Sequence, residues 1–336
     1  MSTLLLIAPI VLLSFMLTAV LRRYAVMRSL LDVPNARSSH SAPTPRGGGV
    51  AIVLCFLGAI PLLYAQFGLS GNDALALAGA GALVALIGFL DDHGHIAARW
   101  RLLTHFGASA WALYWLAGVP PLAFGETTIE LGPAGFVLGA VFLVWMLNLY
   151  NFMDGIDGIA SVEAICVCLG GALMYWITGK VDAAIVPLTL AAAVCGFLAW
   201  NFPPARIFMG DAGSGFIGIV LAILSLQAGW HHPTLLWAWL ILLGIFVVDA
   251  TTTLLRRLLR GEKVYEAHRS HAYQYAARKY GRHLPVTAGV AAINLCWLLP
   301  IAAAAALGVI DGLAALILAY LPLIVLAQKF QAGAAE

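Results

Sequence analysis

Two asparagines and two aspartates recur three residues apart in NLYNFMDGIDG, residues 148–158. Asn148 and Asn151 fall on one helical face. Gly155 and Gly158 end the helix, which places Asp154 and Asp157 in a tight loop. Three other stretches carry related chemistry: GFLDDHGHIAARWR (88–101) holds Asp91, Asp92 and Arg101, FPPARIFMGDAGSG (202–215) holds Asp211, and EKVYEAHRSHAYQ (262–274) holds Arg269 and His271. Carboxylate and amide oxygens are hard ligands that suit Mg²⁺ or Mn²⁺ rather than zinc. Guanidinium groups suit phosphate. Acids, a hard divalent cation and arginines are the parts of a phosphoryl-transfer site. Asp211 opens a helix in GDAGSG, so it is also a good N-cap residue. Gly213 and Gly215 are expected to keep the surface open there.

Lipid-spanning elements must position these clusters. Hydrophobic residues make up 62% of the 336 and charged residues 10%, where soluble domains run near about 25% charged. The mean hydropathy is +0.93. The reading is all-α, a polytopic membrane protein of one domain over 1–336, with eleven apolar runs of spanning length. They lie at 2–21, 47–67, 72–90, 102–119, 133–150, 159–178, 183–202, 213–230, 234–255, 286–307 and 312–328. Their ends alternate sides. Of the 18 Lys and Arg, 17 fall on the side that takes 22–46, 91–101, 151–158, 203–212, 256–285 and the C-terminal tail; Lys180 alone falls opposite. Positive-inside bias makes the first side cytoplasmic, with the N-terminus outside and the C-terminus inside. All four clusters sit on that side. The N-terminal run lacks a basic leader and a cleavage site and reads as a retained span.

Other polar residues have plainer readings. His93 and His95 read as interfacial, His105 as packing, and His231 and His232 as loop residues. The five cysteines lie in apolar runs and read as packing residues. Asp249, inside the ninth run, is expensive in lipid, and Arg256 or Arg257 is its expected partner. A secondary transporter is the rival reading, but transporter sites lie near the bilayer midplane within internal repeats. Here the acids sit at span ends and no repeat is visible.

Along nearly its whole length the chain resembles the polyprenyl-phosphate N-acetylhexosamine-1-phosphate transferases, glycosyltransferase family 4. These include phospho-N-acetylmuramoyl-pentapeptide translocase and the enzymes that start O-antigen and teichoic-acid assembly. The resemblance rests on DVPNARSSHSAPTPRGGGVAI (32–52), FLDD (89–92), NLYNFMDGIDG (148–158) and GDAGSG (210–215). It implies transfer of a sugar 1-phosphate from a UDP-sugar to a polyprenyl phosphate such as undecaprenyl phosphate, with UMP released and Mg²⁺ or Mn²⁺ required. It implies catalytic roles for Asp91, Asp92 and His271, and metal ligation by Asn151 and Asp211. Arg46, Arg101, Asn148, Asp154, Asp157 and Arg269 would bind substrate, with Asp157 near the uracil. HRSHAYQ carries Tyr273 and Gln274 where the family often has further histidines, which points to an altered sugar pocket. FucNAc and QuiNAc then join GlcNAc as expected sugars, with O-antigen as the expected polymer. Membrane lipids are expected neighbours, nucleic acid is not a partner, and a homodimer is left open. A phosphate monoester has its second pKa near about 6, so the nucleophile is mostly ionised already. Asp91 and Asp92 are therefore expected to position phosphate more than to remove a proton.

Overall fold

The computed structural model describes residues 3–34, 42–94, 96–262 and 268–335. Arg37, His95 and the stretch 263–267 lie outside them. Every one of the eleven apolar runs is helical, because lipid offers no partner for an unpaired peptide group. The helices are α1 (Thr3–Met27), α2 (Val50–Gln66), α3 (Gly71–His93), α4 (Ala98–Trp115), α5 (Gly132–Met153), α6 (Ile159–Ile177) and α7 (Ile185–Asn201). They continue with α8 (Asp211–His231), α9 (Pro233–Leu242), α10 (Gly244–Leu259), α11 (Ala272–Tyr280), α12 (Leu284–Ile293), α13 (Leu299–Ala306) and α14 (Gly312–Lys329). Two short hairpins complete the described residues: Leu31–Asp32 with Thr44–Pro45, and Leu122–Phe124 with Thr127–Ile129.

The span count differs from the expected eleven. By length and apolarity, 8 described helical segments can cross a membrane, or 9 if α9 and α10 count as one bent span. α2 is only 17 residues long, and α4 opens with Arg99 and Arg101. The ninth run breaks at Leu243 and bends by 67°. Beyond the bend α10 turns polar on one face and carries Asp249, Arg256 and Arg257.

Helix α8 is the hub. It packs against α2, α3, α5, α6 and α9, and its apolar stretch is wholly buried. Small residues let the neighbours approach, as membrane interfaces favour. At Gly218 an added Cβ would lie 2.7 Å from the Leu147 Cα of α5. Another polar contact is buried between α6 and α12: Asn294 Nδ2 donates to Glu163 Oε2 at 2.6 Å, where a five-residue π-turn, Asn294–Leu298, joins α12 to α13.

All five cysteines are free; Cys55 and Cys168 are buried, while Cys296 is exposed on the helix surface. His232 caps α9 by accepting from the Thr234 N–H.

Candidate active site

The N-terminus of α8 meets the C-terminal end of α3. Asp92 is 6% exposed. Its carboxylate accepts the N–H groups of Asp211 at 3.1 Å and Ala212 at 3.2 Å, where the helix dipole favours a negative charge. The Arg46 guanidinium donates to the Asp92 carbonyl. This corrects the expectation for Asp211. It does not cap its own helix: it is the first residue of α8, and Gly210, at φ 78°, holds the cap position. Asp92, from another helix, satisfies the end.

Freed from capping, the Asp211 side chain turns to its neighbours. Its Oδ1 accepts from Asn151 Nδ2 at 2.9 Å, and its Oδ2 lies 3.6 Å from Arg101 Nη1. The Asn151 amide also donates to Ser214 Oγ at 2.9 Å. Arg101 Nη1 pairs with Asp91 Oδ2 at 2.5 Å, and Asp91 Oδ1 accepts the Ile96 N–H at 2.8 Å. One guanidinium thus lies between two carboxylates from two helices. The close approach needs Gly88, one turn before Asp92. A Cβ there would fall 2.6 Å from the Asp211 carbonyl. Gly213 also differs from expectation: rather than opening the surface, it packs on Gly49, and an added Cβ would lie 2.6 Å from the Gly49 Cα. The segment around Gly49 is held there by N–H bonds from Gly48 and Gly49 to the carbonyls of Phe208 and Met209.

The 154–158 loop forms as expected, with Asp154 just past α5 and Gly158 at φ 74°. Burial, then the negative charges of Asp211, Asp92 and Asp157, push the Asp154 carboxyl well above the usual range. Asp157 ties three segments together. Its Oδ2 accepts the Ala205 N–H at 3.0 Å and lies 3.2 Å from His283 Nδ1, and its carbonyl accepts from Thr287 Oγ1 at 2.9 Å.

Arg101, Asn148, Asn151 and Asp211 line one cavity of about 180 Å³, whose walls include Val84, Leu102, Leu147 and Phe152. Its lining combines polar and apolar residues. His105 lines it too and is half-buried, with Nδ1 3.4 Å from Asn148 Nδ2. The sequence reading placed His105 in packing; its only signal was a position one turn beyond Arg101.

Arg269 is not brought to this cavity. It lines a separate one with Ser270 and Arg278, and its carbonyl accepts from Arg278 Nη1. His271 is 1% exposed, and its ring stacks on Phe152 at 6.5 Å. Tyr273 and Gln274 are buried. The Tyr273 hydroxyl donates to the Phe152 carbonyl at 2.9 Å, and Gln274 Oε1 accepts the His271 N–H. Both are used inside the fold, which removes the argument that they reshape the sugar pocket. His268 is held neutral: burial first, then His271 and Arg257, pull its pKa down to about 3. Asp249 does not pair with either expected arginine. Arg257 pairs with Glu262 at 2.8 Å and Arg256 donates to the Ala332 carbonyl, while Asp249 faces α11.

The donor set fits a hard cation. Asp211 offers a carboxylate beside the Asn151 amide, whose nitrogen donates to it in this structure, and the carboxylates around them repel one another. Among the described residues no three His, Cys, Asp or Glu side chains form a ligand cluster. Mg²⁺ commonly keeps waters and takes one or two carboxylates plus substrate phosphates.

The chain is similar to known proteins. The family model described as "Glycosyl transferase family 4" matches residues 74–229. A probable undecaprenyl-phosphate N-acetylglucosaminyl 1-phosphate transferase of Bacillus subtilis (strain 168) is 30% identical over 263 residues, 76% of this chain and 72% of that protein. The undecaprenyl-phosphate alpha-N-acetylglucosaminyl 1-phosphate transferase of Yersinia pestis is 32% identical over 278 residues, 77% and 72% of the two chains. That of Escherichia coli (strain K12) is 29% identical over 274 residues, 76% and 71%.

Proposed function

We propose a function from one premise: the chain belongs to glycosyl transferase family 4, the polyprenyl-phosphate N-acetylhexosamine-1-phosphate transferases. It moves an N-acetylhexosamine 1-phosphate from a UDP-sugar to undecaprenyl or a related polyprenyl phosphate and releases UMP. The product starts a cell-surface glycan such as O-antigen. The observation that carries this reading is the cavity lined by Arg101, Asn151 and Asp211, which contact one another, together with apolar side chains. A lipid phosphate has the same two-part character.

In the proposed reaction an oxygen of the lipid phosphate attacks the phosphorus that bears the sugar. The new P–O bond forms as the bond to UMP breaks. Both reactants are anions, so the protein must first reduce their repulsion. Arg101 supplies positive charge at the cavity, and Asp91 fixes its guanidinium through a short ion pair. Asp92 holds α8 so that Asp211 and Asn151 stay together. Mg²⁺ or Mn²⁺, held by Asn151 and Asp211, would neutralise the pyrophosphate and the leaving UMP. Asp91 is already spent on Arg101 and Ile96, which favours positioning over proton removal.

The test is UMP release by purified protein with Mg²⁺, polyprenyl phosphate and a panel of UDP-GlcNAc, UDP-FucNAc and UDP-QuiNAc. Release is expected only with the lipid phosphate present, and fastest with UDP-GlcNAc, the sugar in the relatives' names. A transporter would release no UMP with any donor.

The orientation belongs to the same proposal. The basic span ends support a site on the cytoplasmic face of the bacterial inner membrane, with the N-terminus outside and the C-terminus inside. Lys279 is exposed at the end of α11. Lys279→Cys, in a background without native cysteines, is expected to resist an impermeant thiol reagent in intact cells and to react in inverted vesicles. Labelling of intact cells would reverse the topology.

A further inference from the structure

We propose that Asp249 is the positioning residue that orients His271 toward substrate, an inference that rests on the transferase reading above. Asp249 is 6% exposed inside α10, where an unpaired carboxylate is costly. It accepts three donors and contacts the His271 ring. The N–H groups of Ala272 and Tyr273 reach Oδ1 and Oδ2 at 2.9 and 3.0 Å. Thr253 Oγ1 reaches Oδ1 at 3.1 Å, and His271 Nδ1 lies 3.3 Å from the same oxygen. The two amide contacts describe a cap for α11. They do not account for the imidazole, whose contact with Asp249 is separate from the one Gln274 Oε1 makes with the His271 N–H.

The second observation is at the other ring nitrogen. His271 Nε2 is buried and has no hydrogen-bond partner among the described residues. An unsatisfied buried polar atom is costly, so an idle imidazole would be a liability at this position. A carboxylate at Nδ1 fixes the proton on that nitrogen and sets the ring orientation. Nε2 is then the atom left for a substrate group. The ring stacks on Phe152, whose side chain lines the cavity that holds Asn151 and Asp211. Tyr273, the next residue but one, donates to the Phe152 carbonyl. The Asp249 contacts to 271–273 therefore fix the imidazole behind Phe152, a residue of the cavity lining. Asp249 itself touches no substrate and acts through His271.

Two measurements test this. The first needs no activity: the ¹⁵N-imidazole spectrum of the full-length parent, with the His271 signals assigned by their loss in His271→Gln. A proton on Nδ1, hydrogen-bonded to a carboxylate, is expected and should shift in Asp249→Asn. Absence of that proton in the parent would overturn the proposal even if Asp249→Asn fails to fold. The second is a double-mutant cycle on UMP release. Asp249→Asn is expected to slow turnover about 10–100-fold with a smaller change in KM for the UDP-sugar. In a His271→Ala background the same change should cost less than about threefold, because its route to the chemistry is gone. Equal losses in both backgrounds would leave Asp249 as a helix cap and nothing more. If the parent releases no UMP, the transferase reading fails, while the ¹⁵N spectrum still decides the Asp249–His271 contact.

Discussion

Asp211→Asn is expected to lower UMP release by about 10²–10³-fold, roughly 3–4 kcal/mol, while the protein inserts and melts as the parent does. The substitution keeps the shape of the side chain. It does not disturb the start of α8, because that end is held by Asp92 and not by Asp211. What it removes is one negative charge beside Asn151 and Arg101. The Arg101 guanidinium then loses one of its two carboxylates, and the proposed cation loses its only charged ligand. Turnover across a Mg²⁺ titration, beside a thermal melt, separates the two effects. EDTA should abolish turnover in the parent, and Mg²⁺ or Mn²⁺ should restore it. A rate within about threefold of the parent's at every Mg²⁺ concentration would remove Asp211 from the site.

Gly88→Ala should produce a loss of similar size by a different route. The new methyl carbon would lie 2.6 Å from both the carbonyl carbon and the oxygen of Asp211, and 2.7 Å from the Ala212 nitrogen. Carbon atoms sit comfortably at about 3.5–4.0 Å. The obstacle is backbone, so no rotamer change relieves it, and α3 and α8 must part by about 1 Å. A misplacement of that order can cost about 10²-fold in rate. The overpacking should also cost about 1–3 kcal/mol of stability. Turnover and melting temperature both falling is the expected result. Parent-like turnover would mean that the α3–α8 contact does not set the position of Asp211.

The helical layout and the residue types of the site were legible in the sequence, because lipid imposes long apolar runs and forces ionisable groups to their ends. Asn148 and Asn151 share a cavity as their spacing implies, and Gly158 ends its loop with positive φ. The pairings were not legible. Asp92 caps a helix whose first residue lies 119 positions later, and nothing local to either segment announces the contact. Asp249 was matched to Arg256 and Arg257, two helical turns along its own helix. Its actual partners are Thr253, one turn along its own helix, and the start of α11. Tyr273 and Gln274 are buried inside the fold, which sequence position does not report. Arg269 lines a cavity other than the one that holds Asp211.

The long-range cap also sets an order of events during synthesis. Asp92 emerges 119 residues before the amide it will hold. At about 5–20 residues per second the wait is roughly 6–24 s. Through that interval α3 ends in an acidic pair with no helix terminus to receive it, and the catalytic face does not yet exist. Folding of the site is therefore a late step that depends on delivery of the eighth helix. Substitutions at Asp92 should be felt as the amount of protein that survives membrane quality control, whereas those at Asp211 should spare abundance and appear only in turnover.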